Sequence, residues 1–393
     1  MLRSLYSGIS GLRAEQTMLD VTSNNIANVN TTGFKASSVQ FEDALSQTLS
    51  AAGLPESYKA GTNPNQVGLG VRVSGISTNL AQGSEQTTGN NLDAMIQGDG
   101  FFVAHVGSET LFTRNGSFHW DSQGRLATPD GALVQGWPAT SGVVQTGVQP
   151  SNITLPQGTT APAKTTTAAR MVGNLPSDAA AGTSVERDIT VYAGDGSQKT
   201  LAITFTAGAA GSKQWSYSVD DGTGTPTSGV LTTGADPVTG DTNPVVDGIT
   251  LDLSKLSGYA GDTTVAMAGQ NGNKAGALLS VSLGSDGTLS GTFSNGDTIP
   301  LARLALAGFT NPQGLEKTGN SELRATLNSG TATLGTAGSP GYGAVVAGAL
   351  EASNVDLSQE FTNLIIAQRG FQANARIITT SDEILQQLTQ LKQ

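Results

Sequence analysis

The chain has 393 residues, a formal net charge of −11 and a pI near 4.6. Charged residues make up only 13 % and aromatics 5 %, Gly fills 51 positions and Cys none. An acidic chain without a Lys/Arg cluster excludes nucleic acid as a partner, the absence of Cys excludes disulfides, thiolate metal sites and cysteine nucleophiles, and no apolar run reaches the ~18–20 residues of a membrane span, so no membrane insertion is expected.

At the N-terminus, Leu2, Leu5, Ile9, Leu12, Leu19 and Ile26 fall on a 3–4 spacing, with Gln16 and Ser23 filling two slots. This is the a/d pattern of a helix seam. Polar residues interrupt the segment too often for a cleaved secretory signal, so an exported chain would leave without cleavage there. Asn24, Asn25, Asn28 and Asn30 are expected to end the helix, because Asn tolerates the left-handed conformation.

Helix signals then become scarce. Residues 67–75 alternate apolar and polar and predict one strand. Residues 98–137 read as hairpins, with turns at Gly98-Asp99-Gly100, Asn115-Gly116 and Asp130-Gly131, and with Phe102, Val103, Leu111, Phe112 and Phe118 on the flanking strands. A Thr/Pro/Gly-rich connector starts near residue 139. Strands follow at Ile189–Val191, Leu201–Phe205, Trp215–Val219 and Ile249–Leu253, with a turn at Asp195-Gly196. Further strands at Leu279–Leu283, Leu289–Phe293 and Ile299–Leu306 are separated by Asp286-Gly287 and Asn295-Gly296.

At the C-terminus, Asp356 and Gln359 form a capping signal before a long apolar-periodic run. Leu357, Phe361, Leu364, Phe371, Ala375, Ile378 and Leu385 continue a 3–4 spacing, and Ile365, Ile377, Ile384, Leu388 and Leu391 make a second stripe. One stripe finds a partner in the other terminus. The second needs another copy of the chain, because no third long helix is evident.

The fold class expected is therefore mainly β with long terminal α-helices that pair as a coiled coil, and with nested β domains between them. The expected domains are 1–30 plus 357–393 (helical assembly), 31–70 plus 345–356 (connecting), 71–145 plus 271–344 (β) and 146–270 (inserted outer β).

Chemistry is nearly absent. His105 and His119 lie on predicted strands without a carboxylate pattern for zinc. No G-x-S-x-G, G-x-x-x-x-G-K or H-E-x-x-H motif occurs, and the Asp-Gly pairs read as turns rather than calcium loops. No catalytic, cofactor or metal residue is assigned, and the chain is expected to be no enzyme. A glycan hydrolase would need two facing carboxylates, and a secreted β adhesin would gain nothing from heptads at both ends.

Residues 8–35, above all Asn24-Asn25-Ile26-Ala27-Asn28 and Asn30-Thr31-Thr32-Gly33-Phe34-Lys35, resemble the N-terminal signature of the flagellar rod and hook protein family. Residues 350–388 resemble its C-terminal signature, and 96–103, 111–131 and 305–326 resemble its middle. Length and the inserted domain fit the hook-type members, with a distal rod subunit as the alternative. The resemblance implies a helical homo-polymer with terminal helices innermost. It also implies type III export, assembly under a cap protein, junctions with rod and hook–filament junction proteins, and a location in the extracellular hook. Self-assembly is assigned to Leu2, Leu5, Ile9, Leu12, Leu19, Ile26, Phe361, Leu364, Ile365, Phe371, Ile378, Leu385 and Leu388.

Overall fold

A computed structural model describes every residue except 1, 56, 59, 156–157, 223–225, 235–236 and 391–393. The side chains of Leu2 and Leu388, and all of Leu391, three of the expected stripe positions, lie outside the described residues.

Two helices bound a β-rich chain: α1 spans Leu2–Ala27 and α2 spans Leu357–Gln390. Asn24 and Asn25 lie inside α1, whose last turn continues to Ala27 because the Asn28 amide and the Asn28 side chain both donate to the Asn24 carbonyl, at 3.2 and 2.9 Å. Asp356 caps α2, its Oδ1 accepting from the Ser358 and Gln359 amides at 2.8 and 3.2 Å. The reciprocal half of the capping box is missing, since the Gln359 side chain donates to Asn363 instead.

The helices pair antiparallel. Gly8 lies against Ile378 and Asn374, Gly11 against Asn374, and Gly370 against Glu15. Glycine lets the backbones approach at these three levels. The most buried positions of the pair are Gly8, Gly11, Ala14, Thr22, Asn25, Ala367 and Ser381. The closest approach thus uses small and polar residues rather than the leucine row.

By contacts the chain divides into two units. The first comprises Met1–Pro156, Val281–Ser290 and Pro300–Gln393; the second comprises Gln157–Ser280 and Gly291–Ile299.

In the first unit, β1 (Ser37–Asp43) pairs with β4 (Val71–Thr78), and both touch α1. An exposed hairpin of β2 (Ser46–Ser50) and β3 (Asn65–Gly68) lies between them in sequence. The single strand expected over 67–75 is therefore two, broken where Gly70 takes φ +118°. Next come β5 (Glu85–Thr87), β6 (Ala94–Gln97), β7 (Phe101–Val106) and β8 (Glu109–Thr113). β5 pairs with Ala349–Glu351 and β6 with Ala344–Ala347. β7 is buried on both faces, which is why it reads as a continuous apolar run. Phe102 packs edge-on to Phe118 at 5.1 Å, while Phe101 and Phe112 both meet Phe309.

The β7–β8 turn falls at Gly107. Gly98–Gly100 only links β6 to β7, and Asn115-Gly116 is no hairpin turn. The Asn115 carboxamide accepts from the Ser117 amide at 3.1 Å and from the Thr32 hydroxyl at 3.2 Å, so this loop is held extended against the N-terminal segment.

The second unit contains an antiparallel meander of Ser184–Tyr192, Gln198–Ala207, Gln214–Asp220, Thr227–Thr232 and Thr239–Gly240. A four-stranded sheet, in which Ala168–Asn174 runs parallel to Ile249–Ser257, packs on it. Alternation decides the inner face: Leu201, Ile203 and Phe205 on one strand meet Trp215, Tyr217 and Val219 on the next, all buried. The polar ends are satisfied, Trp215 Nε1 by the Pro176 carbonyl at 3.0 Å and Tyr217 Oη by Asp241 at 2.6 Å. Replacing Phe205 by Ala removes a fully buried ring and is expected to cost about 3–5 kcal/mol in urea unfolding; a loss under about 1 kcal/mol would contradict this core.

Candidate functional site

The most heavily constrained place in the first unit is where both terminal segments meet. Lys35 is buried, and its Nζ donates to Glu351 Oε1 at 2.5 Å and to the Ala81 carbonyl at 2.9 Å. Glu351, at the end of strand Ala349–Glu351, has a side chain that is 0 % exposed. Its Oε1 also accepts the Gly83 amide at 2.8 Å, and its Oε2 faces Arg114 Nη1 at 3.5 Å. One carboxylate thus serves two buried cations. Burial, opposed by the Glu351 contact, holds the Lys35 amine below the ordinary lysine range, and burial likewise lowers Arg114.

The Asn-rich segment folds around this clasp. The Asn25 carboxamide pairs with Ser37 as a strand would, donating to its carbonyl at 2.7 Å and accepting its amide at 3.0 Å. Asn28 accepts from the Thr31 hydroxyl at 3.1 Å. Asn24 and Asn30 are exposed. Gly33 adopts φ +69° and donates its amide to the Glu351 carbonyl at 2.8 Å. A Cβ there would also stand 2.7 Å from the Asn115 amide nitrogen, so only glycine fits. Phe34 carries Lys317 over its ring at 5.1 Å, and Lys317 donates to the Lys35 carbonyl at 3.2 Å. Asn354 closes the circle, accepting the Ala36 amide and donating to the carbonyls of Asn79 and Ala81.

The motif residues Asn25, Asn28, Gly33, Phe34 and Lys35 are therefore brought together at the junction of the two terminal segments. Sequence reasoning missed Glu351, Arg114, Lys317 and Asn354. The signal for them was their place inside the recognised blocks, not their chemistry. A cavity of about 500 Å³ opens beside the clasp, lined among others by Asn24, Phe34, Arg114, Lys317, Asp130 and Glu322. Glu322 is 8 % exposed with Oε1 unpartnered, and burial together with Asp130 pushes its carboxyl up.

The expected seam residues differ in exposure. Leu5, Leu12, Leu19, Ile26, Leu364, Ile378 and Leu385 are half-buried. Ile9, Phe361, Ile365 and Phe371 are exposed, along with Tyr6, Leu357, Ile366, Ile377 and Ile384 on the same helices; Phe361 and Ile365 are 51 % and 50 % exposed. The helix pair thus presents an apolar surface that one chain leaves open.

Among the described residues no group of three or more His, Asp and Glu side chains is placed to hold a metal ion. His105 bonds Thr110 at 2.9 Å on the β7–β8 hairpin, and His119 is exposed. No helix among the described residues is long and apolar enough to cross a membrane.

Lys35→Met leaves the buried Glu351 carboxylate with the Gly83 amide and, as its one remaining cation, Arg114 at 3.5 Å, and is expected to cost about 3–5 kcal/mol. Adding Glu351→Gln removes that carboxylate but also takes it from the buried Arg114, so the double variant should lose less than the sum of the two single losses without returning to the parent value. Strictly additive losses in denaturant titration would contradict the pairing.

Three family models match the chain: the flagella basal body rod protein model at residues 5–35, the flagellar hook protein FlgE/F/G D1 domain at 95–169, and the flagellar basal body rod FlgEFG protein C-terminal model at 346–391. The flagellar hook protein FlgE of Treponema pallidum is 37 % identical, with all of both chains covered. That of Escherichia coli is 36 % identical over 98 % of each chain. The flagellar basal-body rod protein FlgG of Bacillus subtilis is 33 % identical, again with both chains fully covered. The first and third matches coincide with the two terminal segments that the clasp joins. The chain belongs to the family of flagellar hook proteins and their basal-body rod relatives.

Proposed function

We propose that the chain is a structural subunit of the bacterial flagellar hook, which polymerises through its terminal helix pair into a flexible curved tube that passes motor torque to the filament. The observation that carries the assembly step is the open apolar row on α2. Phe361 and Ile365 are half exposed, and among the described residues no other segment covers them. Burying such a row among neighbouring copies is favourable by about 25 cal/mol per Å², and a homo-polymer supplies the same complementary surface at every step.

Hook relatives at 37 % and 36 % identity, covering essentially the whole chain, support hook over rod. The full-length rod relative at 33 % keeps a distal rod subunit as the second reading. Electron microscopy of the salted-out protein separates them, since curved tubes mean hook and straight tubes mean rod. A cap protein, rod and hook–filament junction proteins and the type III export apparatus are the partners this reading requires. No catalytic step is part of it.

The inserted β domain, residues 146–270, is assigned the outer contacts. Its Thr-, Gly- and Ser-rich surface suits weak contacts that slide and re-form, whereas interlocked apolar cores do not. Deleting it should leave tubes of altered curvature, and loss of all tubes would count against the assignment.

Phe361→Asp or Ile365→Asp places a charge where water already reaches in the single chain, so folding is expected to change by less than about 0.5 kcal/mol. In a packed polymer the same charge is buried and unpaired. Both variants should remain folded by circular dichroism and fail to sediment as tubes. Normal tubes would contradict the helix-borne interface.

A further inference from the structure

Glu15 is half-buried on α1 at the level of Gly370 on α2, where an added Cβ would come within 2.5 Å of its Oε1. Its Oε2 is sealed from water and has no hydrogen-bond partner among the described residues. Burial raises this carboxyl above the usual glutamate range. A carboxylate with one oxygen sealed from water and no cation beside it is unfavourable, and a helix surface offers many positions where the charge would have cost nothing.

The same helix pair carries the complementary charges. Arg3, Arg13, Arg369 and Arg376 are all exposed, and none forms an ion pair among the described residues. The other described arginines of the first unit do have carboxylate partners: Arg72 with Glu42, Arg114 with Glu351, Arg125 with Asp121, Arg303 with Asp286, and Arg324 with Glu109 and Glu316. Unpaired arginine in this unit is thus confined to the helix pair. Even Arg369, next to the glycine that Glu15 faces, does not reach it.

We propose that Glu15, on the side of its carboxylate that the half-buried side chain leaves unsealed, receives an arginine from the terminal helix pair of a second copy, so that contact between copies completes an ion pair that each copy leaves open. The inference rests on the assembly reading above and adds to it a directional, charged contact that apolar burial alone does not supply. Guanidinium suits the task because it is weakly hydrated and donates in a planar fork matched to a carboxylate.

The test is the concentration of free full-length chain in equilibrium with tubes, together with the helicity and unfolding of the unpolymerised chain. Glu15→Gln removes the charge and keeps the shape. In the single chain it relieves an unpaired buried carboxylate, so helicity and unfolding midpoint should be unchanged or higher. In the tube it breaks the ion pair, so free chain should rise about tenfold, as expected for a charge-assisted hydrogen bond. One of the single variants Arg3→Gln, Arg13→Gln, Arg369→Gln or Arg376→Gln should raise it equally, and combining that variant with Glu15→Gln should add nothing further. An unchanged or lower free concentration for Glu15→Gln overturns the inference, as do four arginine variants without effect. Either result leaves tube formation by the parent chain standing. Only a parent chain that forms no tubes sinks the assembly reading itself.

Discussion

The buried contact of Lys35 with Glu351, shared with Arg114, is the constraint on which the rest of the first unit turns. It joins residues 316 positions apart and ties the N-terminal segment to the strand Ala349–Glu351 and to Arg114, the residue after β8. A buried ion pair is a poor source of net stability, because desolvating the charges consumes most of their attraction. Its value here is specificity. Lys35 reaches one carboxylate and the Ala81 carbonyl, the Gly33 amide meets the Glu351 carbonyl, and the Asn25 carboxamide pairs with the Ser37 backbone. Any slip of one terminus against the other leaves a buried charge unpaired.

That register is passed to the helices. α1 ends immediately before the clasp segment and α2 begins six residues after Glu351, so the start of the antiparallel pair is defined at its base. From there Gly8, Gly11 and Gly370 let the backbones close on each other. A seam of small residues has a consequence for assembly. Had leucines filled it, the pair would have consumed its own apolar surface. Instead the large side chains flank the seam, and Phe361 and Ile365 are left outward. Rigid junction, narrow seam and open outer row together make a subunit that is complete as a fold and incomplete as a surface.

The terminal helices, the mainly β interior and most turns were legible in the sequence, because each follows from local pattern. The strand alternation from Leu201 to Phe205 and from Trp215 to Val219 fixes its own inner face, and Asp195-Gly196 and Asn295-Gly296 sit in real hairpin turns. The misread turn at Asn115-Gly116 has a tertiary cause. Asn115-Gly116 carries hairpin chemistry, yet its carboxamide is engaged by Thr32 from a distant segment, so tertiary contact overrides local preference. The clasp was not legible as chemistry for the same reason: nothing in the local sequence pairs Lys35 with Glu351 across 316 positions. The 3–4 spacing of Leu5, Leu12 and Leu19 marked a helical face correctly but did not say which neighbour covers it. The closest approach is at Gly8 and Gly11, which face α2 and lie outside the leucine spacing.

The central claim is that the outer row of the terminal helix pair is open in the single chain and closed by other copies. A chain without native cysteine allows this to be measured at one position. Ile365→Cys, labelled with a water-soluble thiol reagent, should react readily in the unpolymerised protein and become protected in tubes. Equal labelling rates in the two states would contradict the account.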